Sequence, residues 1–390
     1  MKKNDLINHT VSKHKIIYGC EPKVVSFAPG RIEVLGNHTD YNLGITLSSA
    51  INKGVCFAIS KSNKKNITVN ALDFKQCCSF NSNDLKKVKK FNWANYIKGI
   101  FYYFNYEKVK CEGLNCTFAG SIPMGAGLSS SAALEVATSF AIQEYCKSSL
   151  NLKEIAKISQ KAEQNFAGCK CGLLDQYSSI YGKKNKLILS DFKTHEINTV
   201  NISKNAIFLM VNTNTKHELS SSPYNERRQS CFNAVKELSI YLKRKICSLS
   251  DVSYDEFTYY KKFLTPLSAQ RSEHIVSEIQ RVNKALIYLD NDQLVEFGNL
   301  MYESHNSSIK NFENSCNELD IVVDIAKKNN AIGARLSGGG WGGSVIVLTT
   351  QDKADILSDK ILEDCINKGI NASISKIMAS EGAHIIKGYK

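Results

Sequence analysis

The stretch from Gly120 to Phe140, GSIPMGAGLSSSAALEVATSF, constrains the fold of this chain more than any other. Three glycines and three consecutive serines stand directly before a run in which alanine, leucine and glutamate predict a helix. Glycine lets backbone amides approach a ligand closely, and the first amides of a helix lack intrahelical partners and favour an anion. We therefore predict a phosphate-binding loop at the N-terminus of a helix. A glycine-rich turn with a serine cap is the alternative, but it needs only one serine.

Two familiar phosphate-binding motifs do not account for this loop. The P-loop pattern G-x-x-x-x-G-K-[ST] is absent from the sequence. The pattern G-x-G-x-x-G occurs at Gly338, Gly340 and Gly343, but the residues that follow, SVIVLTT, predict a strand rather than the helix of a dinucleotide-binding site. This second glycine-rich segment could still form a wall of the same ligand site from another domain.

Two further segments carry polar side chains that suit a small ligand. In APGRIEVLGNHTDYNLG, Asp40 and Asn42 can hydrogen-bond the hydroxyls of a sugar, although a polar turn ending at Gly44 explains the same residues. In NFAGCKCGLLDQYSSIYG, Asp175 follows two leucines and could accept a proton from a substrate hydroxyl. A helix cap or an ion pair is the alternative role for this aspartate.

The composition is that of an ordinary globular protein. The 390 residues suffice for about two or three domains. The net charge of +13 comes from scattered lysines without interleaved aromatic residues, so we expect no nucleic-acid partner. A polar N-terminal segment and the lack of a long apolar run predict a cytoplasmic protein without a membrane partner. The 13 cysteines include no Cys-x-x-Cys pair, and we expect free, reduced thiols.

Strand and helix patterns follow one another without regular alternation, which predicts an α+β fold. KVVSFAP is predicted to be a strand that runs into a loop, and LKEIAKISQKAEQNFAG a helix that ends at Gly168. Long amphipathic helices are predicted after about residue 215, followed by a β-α-β-like piece and a polar tail. We place the boundary between two domains near residue 200, giving domains 1–200 and 201–390.

The three motifs together resemble the galactokinase branch of the GHMP small-molecule kinases. GRIEVLGNHTDYNLG is similar to the sugar signature of that family, IPMGAGLSSSAALE to its phosphate loop and GARLSGGGWGGSVIVL to its third motif. AEQNFAGCKCGLLDQYSS, HELSSSPYNERRQSC and ESHNSSIKNFENSCNELD are similar to further galactokinase segments in the same order. The resemblance implies a two-domain GHMP kinase fold with the active site between the domains. The N-terminal domain would be like ribosomal protein S5 domain 2, and the C-terminal domain would be a ferredoxin-like α/β sandwich.

The resemblance also implies a reaction. The γ-phosphoryl group of ATP, bound with Mg²⁺, would move to the anomeric hydroxyl of galactose and give galactose 1-phosphate. Kinases for N-acetylgalactosamine, galacturonate or arabinose share the scaffold, and a sensor that binds galactose and ATP without turnover is a further alternative. The complete serine loop, together with Arg31 and Asp175, favours catalysis. We expect a monomer.

By position, the resemblance assigns roles to individual residues. Arg31 matches the group that steadies the transferring phosphoryl, and Asp175 matches the catalytic aspartate, which either takes the proton or acts through its charge. The remaining assignments are sugar contacts at Asn37, His38, Thr39, Asp40 and Tyr224, ATP contacts at Gly125, Ala126, Gly127, Leu128, Ser129, Ser130, Ser131 and Trp93, and magnesium ligands at Ser131 and Glu163. A packed aromatic ring is the alternative role for Tyr224.

Position 37 departs from the family pattern Gly-Glu-His-Thr-Asp, because an asparagine replaces the glutamate. In the family that glutamate contacts the far hydroxyls of the sugar, including the one at C6. A hydrogen bond to a charged group is worth about 1.5–3 kcal/mol, against about 1 kcal/mol for a neutral one. We therefore predict weaker galactose binding, or a shifted preference at C6, than in an Asn37→Glu variant.

Overall fold

The computed structural model describes residues 1–123, 125–215 and 223–389. These residues form two β-sheets and the helices that cover them. The helices are α1 (Lys3–Tyr18), α2 (Asn92–Tyr106), α3 (Ser130–Cys146), α4 (Leu152–Ala162), α5 (Leu174–Tyr181), α6 (Pro223–Tyr241), α7 (Tyr254–Tyr260), α8 (Pro266–Asp290), α9 (Leu294–Ser307), α10 (Asn317–Lys328) and α11 (Ala354–Asn367). A π-helical turn extends α4 over Glu163–Ala167. In the described part of the chain, no helix is both long and apolar enough to cross a membrane.

The larger sheet belongs almost wholly to the N-terminal half. Its strands are β1 (Val24–Leu35), β2 (Ile45–Lys61), β3 (Ile67–Ala71), β4 (Gln76–Phe80), β5 (Leu114–Gly120), β6 (Lys186–Asp191), β7 (Glu196–Asn201) and β12 (His384–Ile385). The long strands β1 and β2 pair antiparallel at its centre, and β3 runs parallel to β5. β2 is long enough to pair with both β5 and β6, so it joins two parts of the sheet.

The two faces of this sheet are covered by different helices. Side chains alternate across a strand, so Val25 and Phe27 of β1 lie on one face, where they pack with Leu6 of α1. Ser26 lies on the other face and donates a hydrogen bond to the Ala137 carbonyl of α3, at 2.7 Å. This contact, together with the apolar cluster around it, places the middle of α3 beside β1.

The smaller sheet confirms the ferredoxin-like expectation for the C-terminal half. Its strands are β8 (Ala206–Asn212), β9 (Gly333–Ser337), β10 (Ser344–Thr350) and β11 (Ser373–Ile377). They are antiparallel in the order β11-β8-β10-β9, with α11 between β10 and β11 in the chain. This is the β-α-β-β-α-β arrangement of a split β-α-β unit, with several helices inserted between β8 and β9.

One core connects the two sheets. Leu209 and Val347 of the smaller sheet face a cluster that includes residues of α10 and α11. Phe208 and Ile346, one residue earlier on each strand, belong instead to the core of the larger sheet. The sheets divide between β7 and β8, although β12 returns to pair with β1. The domain limits 1–200 and 201–390 stay a prediction.

Several predicted elements are confirmed and others differ. α3 begins within the serine run, as the sequence predicts, and Gly168, with φ +91°, ends the turn that follows α4. β1 does not run into a loop at Pro29, because a register shift between Pro29 and Arg31 lets the strand continue to Leu35. The polar tail forms β11 and β12, whose pairing partners lie far away in the sequence and give no local signal.

The prediction that the cysteines are all free thiols is wrong for one pair. Cys111 and Cys146 form a disulfide across a sequence separation of 35 residues. Cys111 lies just before β5, and Cys146 ends α3, so the two meet only because the helix packs beside the sheet. No spacing rule predicts this pair. The remaining cysteines, all within the described residues, are free.

Candidate active site

The predicted phosphate loop lies at the N-terminus of α3, which begins at Ser130. Gly125 and Gly127 both have positive φ angles, +73° and +67°, which L side chains rarely adopt. The loop is fixed by the C-terminal half, because the Ser344 hydroxyl donates to the Ala126 carbonyl at 2.7 Å. This backbone arrangement leaves the first amides of α3 directed to the cavity described next.

A cavity of about 380 Å³ collects most of the residues that the sequence singled out. Its walls come from β1, the loop after it, the phosphate loop, the segment before α5, α6 and the glycine-rich loop between β9 and β10. The predicted residues that line it are Arg31, Asn37, His38, Asp40, Gly125, Ala126, Gly127, Leu128, Ser129, Ser130, Ser131, Glu163, Asp175 and Tyr224. Of the predicted residues, Thr39, Asn42 and Trp93 do not line it; Asn42 is buried and donates to the His38 carbonyl at 2.9 Å.

Arg31 and Asp175 form an ion pair at the centre of this cavity. Arg31 Nε donates to Asp175 Oδ1 at 2.7 Å, and Arg31 Nη1 donates to the Gly127 carbonyl at 2.6 Å. The Ser129 hydroxyl donates to the other oxygen of Asp175. Burial lowers the pKa of Arg31, but the carboxylates of Asp175 and Glu33 outweigh it, so the net shift of the pKa is upward. The guanidinium is therefore held charged next to the phosphate loop.

Ser131 and Glu163 form a pair of oxygen donors beside the loop. The Ser131 hydroxyl donates to Glu163 Oε1 at 2.9 Å, and Gln176 Nε2 donates to Glu163 Oε2 at 2.9 Å. Burial, followed by the charge of Asp175, raises the pKa of Glu163 to about 7. In the described residues no three His, Cys, Asp or Glu side chains form a metal-binding group. One carboxylate and one hydroxyl fit Mg²⁺, which takes few protein ligands when phosphate oxygens and water complete its shell.

The segment after β1 contributes further polar side chains to the cavity. His38 Nε2 donates to the Gly339 carbonyl at 3.0 Å, and burial lowers the pKa of His38 to about 3, so the ring is neutral. Burial, opposed by the Tyr41 amide, raises the pKa of Asp40 to about 6. A Cβ at Gly172 would overlap the Asp40 side chain, so a larger residue there would displace this carboxylate.

Thr39 and Tyr224, two of the predicted sugar contacts, lie in different surroundings: Thr39 is buried behind the cavity wall, and Tyr224 is part of that wall. Thr39 is fully buried, with its hydroxyl 2.7 Å from the Gly36 carbonyl and 2.8 Å from the Ile45 carbonyl, so it fixes the turn. Tyr224 lines the cavity and packs its ring against His38, at 5.0 Å between centroids, and against Tyr41. Residues 217–222 of HELSSSPYNERRQSC lie outside the described part of the chain.

Trp93 lines a second cavity of about 320 Å³ that adjoins the first. The two cavities share Tyr96, Ser130 and Ser131, so they meet at the start of α3. The indole of Trp93 donates to Gln76 at 2.7 Å and is mostly buried. The walls are largely apolar and aromatic, and they end at the phosphate loop.

Sequence reasoning missed Glu33, which lines the main cavity together with Gly338 and Gly339. Glu33 lies two residues after Arg31 on β1, and residues two apart on a strand share a face. That periodicity could have placed Glu33 in the site once Arg31 was assigned to it.

Comparison with known proteins places this arrangement in a family. Residues 12–61 match the galactokinase galactose-binding signature, residues 95–183 the GHMP kinases N terminal domain and residues 285–367 the GHMP kinases C terminal domain. The galactokinase of Clostridium acetobutylicum is 36% identical over 386 residues, which cover 97% of this chain and 99% of the relative. The chain belongs to the galactokinase family. The galactokinase of Haemophilus influenzae is 35% identical over 374 residues, 94% of this chain and 95% of that protein.

Solved structures agree with this family. Lactococcus lactis galactokinase, crystallised with galactose, superposes with a TM-score of 0.90 at 27% identity, covering 96% of this chain and 98% of that one. The mevalonate kinase of Methanococcus jannaschii gives a TM-score of 0.65 at 20% identity over 93% of this chain and 99% of its own, which shows the shared fold alone. In this galactokinase-family chain, the galactose-binding signature spans Arg31 to Asp40, and the N-terminal GHMP domain spans the phosphate loop and Asp175.

Proposed function

We propose that this protein transfers the γ-phosphoryl group of ATP to the anomeric hydroxyl of galactose, which gives galactose 1-phosphate and ADP. One observation carries the proposal: a single cavity joins the N-terminus of α3 to the galactose-signature residues, and the Arg31–Asp175 ion pair lies where they meet. A phosphate donor and a polyol acceptor can therefore approach each other at two groups suited to phosphoryl transfer.

The chemistry assigns different tasks to the two central residues. The anomeric oxygen forms a bond to the γ-phosphorus, and the bond from phosphorus to the β-phosphate oxygen breaks. Asp175 accepts the proton of the anomeric hydroxyl or stabilises it by charge, since each oxygen that already accepts one hydrogen bond keeps another lone pair. Arg31, held by Asp175 and the Gly127 carbonyl, stabilises the negative charge on the transferring phosphoryl group.

The amides and hydroxyls from Gly125 to Ser131 bind the phosphates, and the α3 dipole adds to their attraction. Ser131 and Glu163 would hold Mg²⁺, which neutralises phosphate charge and orients the phosphates when bound. The second cavity accepts the adenine, with Trp93 as one aromatic wall.

On the sugar side, His38, Asp40 and Tyr224 contact the hexose, Asn37 lines the same part of the cavity, and Thr39 supports the loop that carries residues 37–40. Galactose is favoured over galacturonate because Glu33 and Asp40 place two carboxyl groups in the cavity, where a uronate would be repelled. N-acetylgalactosamine and arabinose remain the alternatives to be tested, and a monomeric, cytoplasmic protein remains a prediction.

A coupled assay of ADP formation over a panel of sugars tests the function. We expect galactose to give the highest kcat/KM among galactose, N-acetylgalactosamine, arabinose and galacturonate. A folded protein that binds galactose and an ATP analogue without turnover would identify a sensor instead. A higher kcat/KM for another sugar of the panel would replace galactose as the substrate.

A further inference from the structure

Glu33 is a buried carboxylate that faces the same cavity as Arg31, and no hydrogen bond to the substrate has been assigned to it so far. It lies on β1, only 3% of its surface is exposed, and its side chain reaches the cavity wall. Its backbone is fixed on both sides: the amide donates to the Ser337 hydroxyl at 2.9 Å, and the carbonyl accepts from Arg335 Nη1 at 3.1 Å. The backbone from which the side chain extends is therefore held by β9, a segment distant in sequence.

The two oxygens of the Glu33 carboxylate differ. Oε2 accepts from Asn37 Nδ2 at 2.9 Å and from the Gly338 amide at 3.1 Å. Within the described part of the chain, no group donates a hydrogen bond to Oε1, and this atom is not among the buried polar atoms that lack a partner. Glu33 is thus anchored through one oxygen, and the other remains available at the cavity wall.

The side-chain amide of Asn37, in contrast to the Glu33 carboxylate, uses both of its atoms in hydrogen bonds within the protein. Its Nδ2 donates both hydrogens, one to Glu33 and one to the Gly338 carbonyl at 2.9 Å. Its Oδ1 accepts from Asn314 Nδ2 at 2.9 Å. Asn37 therefore has no hydrogen left to donate to a ligand, whereas Glu33 keeps a whole oxygen.

We propose that Glu33 is a sugar-binding residue, that its Oε1 accepts a hydrogen bond from a ring hydroxyl of the substrate, and that Asn37 is a positioning residue that orients this carboxylate. The inference rests on the proposed function, because the sugar occupies the end of the cavity where Glu33 lies. It assigns the specificity of this end to a strand residue rather than to the loop after it.

The charges around Glu33 suit such a role. Burial raises the pKa of Glu33 to about 7, although the nearby guanidiniums of Arg335 and Arg31 oppose the rise. A buried carboxylate with one unoccupied oxygen gains most from a ligand hydroxyl, because a charge-assisted hydrogen bond is stronger than a neutral one. A sugar hydroxyl provides that donor without adding a charge.

The test is a Glu33→Gln variant assayed with galactose and its 2-, 3-, 4- and 6-deoxy analogues at saturating MgATP. We expect KM for galactose to rise about tenfold or more, while KM for ATP and the midpoint of thermal unfolding stay close to the wild type. One deoxy analogue, lacking the contacted hydroxyl, should bind worse than galactose to the wild type but no worse to Glu33→Gln. Glu196→Gln, an exposed change on β7, is the matched control and should alter none of these values.

The possible outcomes distinguish a failure of this inference from a failure of the proposed function. A wild-type protein without galactose phosphorylation contradicts the proposed function. An active wild type in which Glu33→Gln leaves KM for galactose within twofold contradicts the role of Glu33. The same conclusion follows when every deoxy analogue loses the same factor in both proteins, because Glu33 would then act on the sugar only through the fold. If Glu33→Gln loses ATP-analogue binding or has a lower thermal unfolding midpoint, the second variant is Glu33→Asp, which keeps the charge. Glu33→Asp must then restore galactose binding in part, and its failure to do so contradicts the proposal.

Discussion

The two ends of the main cavity differ in the parts of the chain that line them. The end proposed to bind phosphate, called the phosphate end, is lined by one continuous segment, Gly125 to Ser131, in which Gly125 and Gly127 have positive φ. The end proposed to bind the sugar, called the sugar end, is lined by side chains whose orientation depends on distant segments, since Asn37 is held by Gly338 and Asn314. We infer that phosphate binding is encoded locally, whereas the choice of sugar is encoded by hydrogen bonds between segments far apart in the chain.

Asp175 lies where the two ends meet, so its removal is expected to have the largest effect. Asp175→Ala should lower kcat by about 10²–10⁴-fold, because it removes the proton acceptor and leaves Arg31 without its ion-pair partner. The ADP-coupled assay measures kcat, and Asp84→Ala, an exposed aspartate change, is the control. Near-normal turnover by a folded Asp175→Ala protein would contradict the role of Asp175 in phosphoryl transfer.

The Asn37→Glu variant tests whether the family pattern at position 37 or the hydrogen bonds that hold Asn37 in this structure determine galactose binding. The family pattern alone predicts that this variant binds galactose more tightly. The structure predicts the opposite, because the new carboxylate would face Glu33 Oε2 and remove both donors of Asn37. Leaving a buried acceptor without its donor costs about 1–3 kcal/mol, so we expect KM for galactose to rise by roughly tenfold to a hundredfold.

The double variant Glu33→Asn with Asn37→Glu sharpens this comparison. It exchanges the two side chains, so the carboxylate again has an amide beside it, and galactose binding should recover relative to Asn37→Glu. KM values for galactose and thermal unfolding midpoints measure both effects. A single Asn37→Glu variant with a lower KM than the wild type would favour the family pattern over the contacts seen here.

The same division explains how much the sequence could predict. The glycine–serine loop before a helix, α3 itself and the helix ending at Gly168 follow from local composition, and the structure has all three, whereas phosphate binding by the loop stays a prediction. The ferredoxin-like half and the pairing of Arg31 with Asp175 required the family resemblance or its residue assignments. β12 and the Cys111–Cys146 disulfide depend on which distant segments meet, and no local pattern carries that information. Glu33 at the cavity wall could have been placed by the two-residue periodicity of β1 once Arg31 was assigned to the site.

Glu163→Ala tests whether the phosphate end needs a side chain as well as its backbone. Glu163 is the only carboxylate hydrogen-bonded to Ser131 in the described residues, so its loss should raise the Mg²⁺ concentration for half-maximal activity about tenfold or more. Titration of activity with Mg²⁺ at fixed ATP and galactose measures the shift, and Glu154→Ala on α4 is the control. An unchanged Mg²⁺ requirement would show that Glu163 is a structural residue. Phosphate binding would then depend on backbone and hydroxyl groups without a carboxylate.

The smallest expected effect, that of pH, also differs between the ends. At the phosphate end burial raises the pKa of Glu163 to about 7, and saturating MgATP would hold this carboxyl group ionised through the metal. At the sugar end burial raises the pKa of Glu33 to about 7 and the pKa of Asp40 to about 6. Both must be ionised to accept hydroxyls as carboxylates, so kcat/KM for galactose at saturating MgATP should fall by about tenfold from pH 8 to pH 6. His38 stays neutral across this range because burial lowers its pKa to about 3. In Glu33→Gln the falling limb should move toward the pKa of Asp40, one pH unit lower. A limb that keeps its wild-type position in that variant would assign the titration to another group and leave the sugar end without an ionising Glu33.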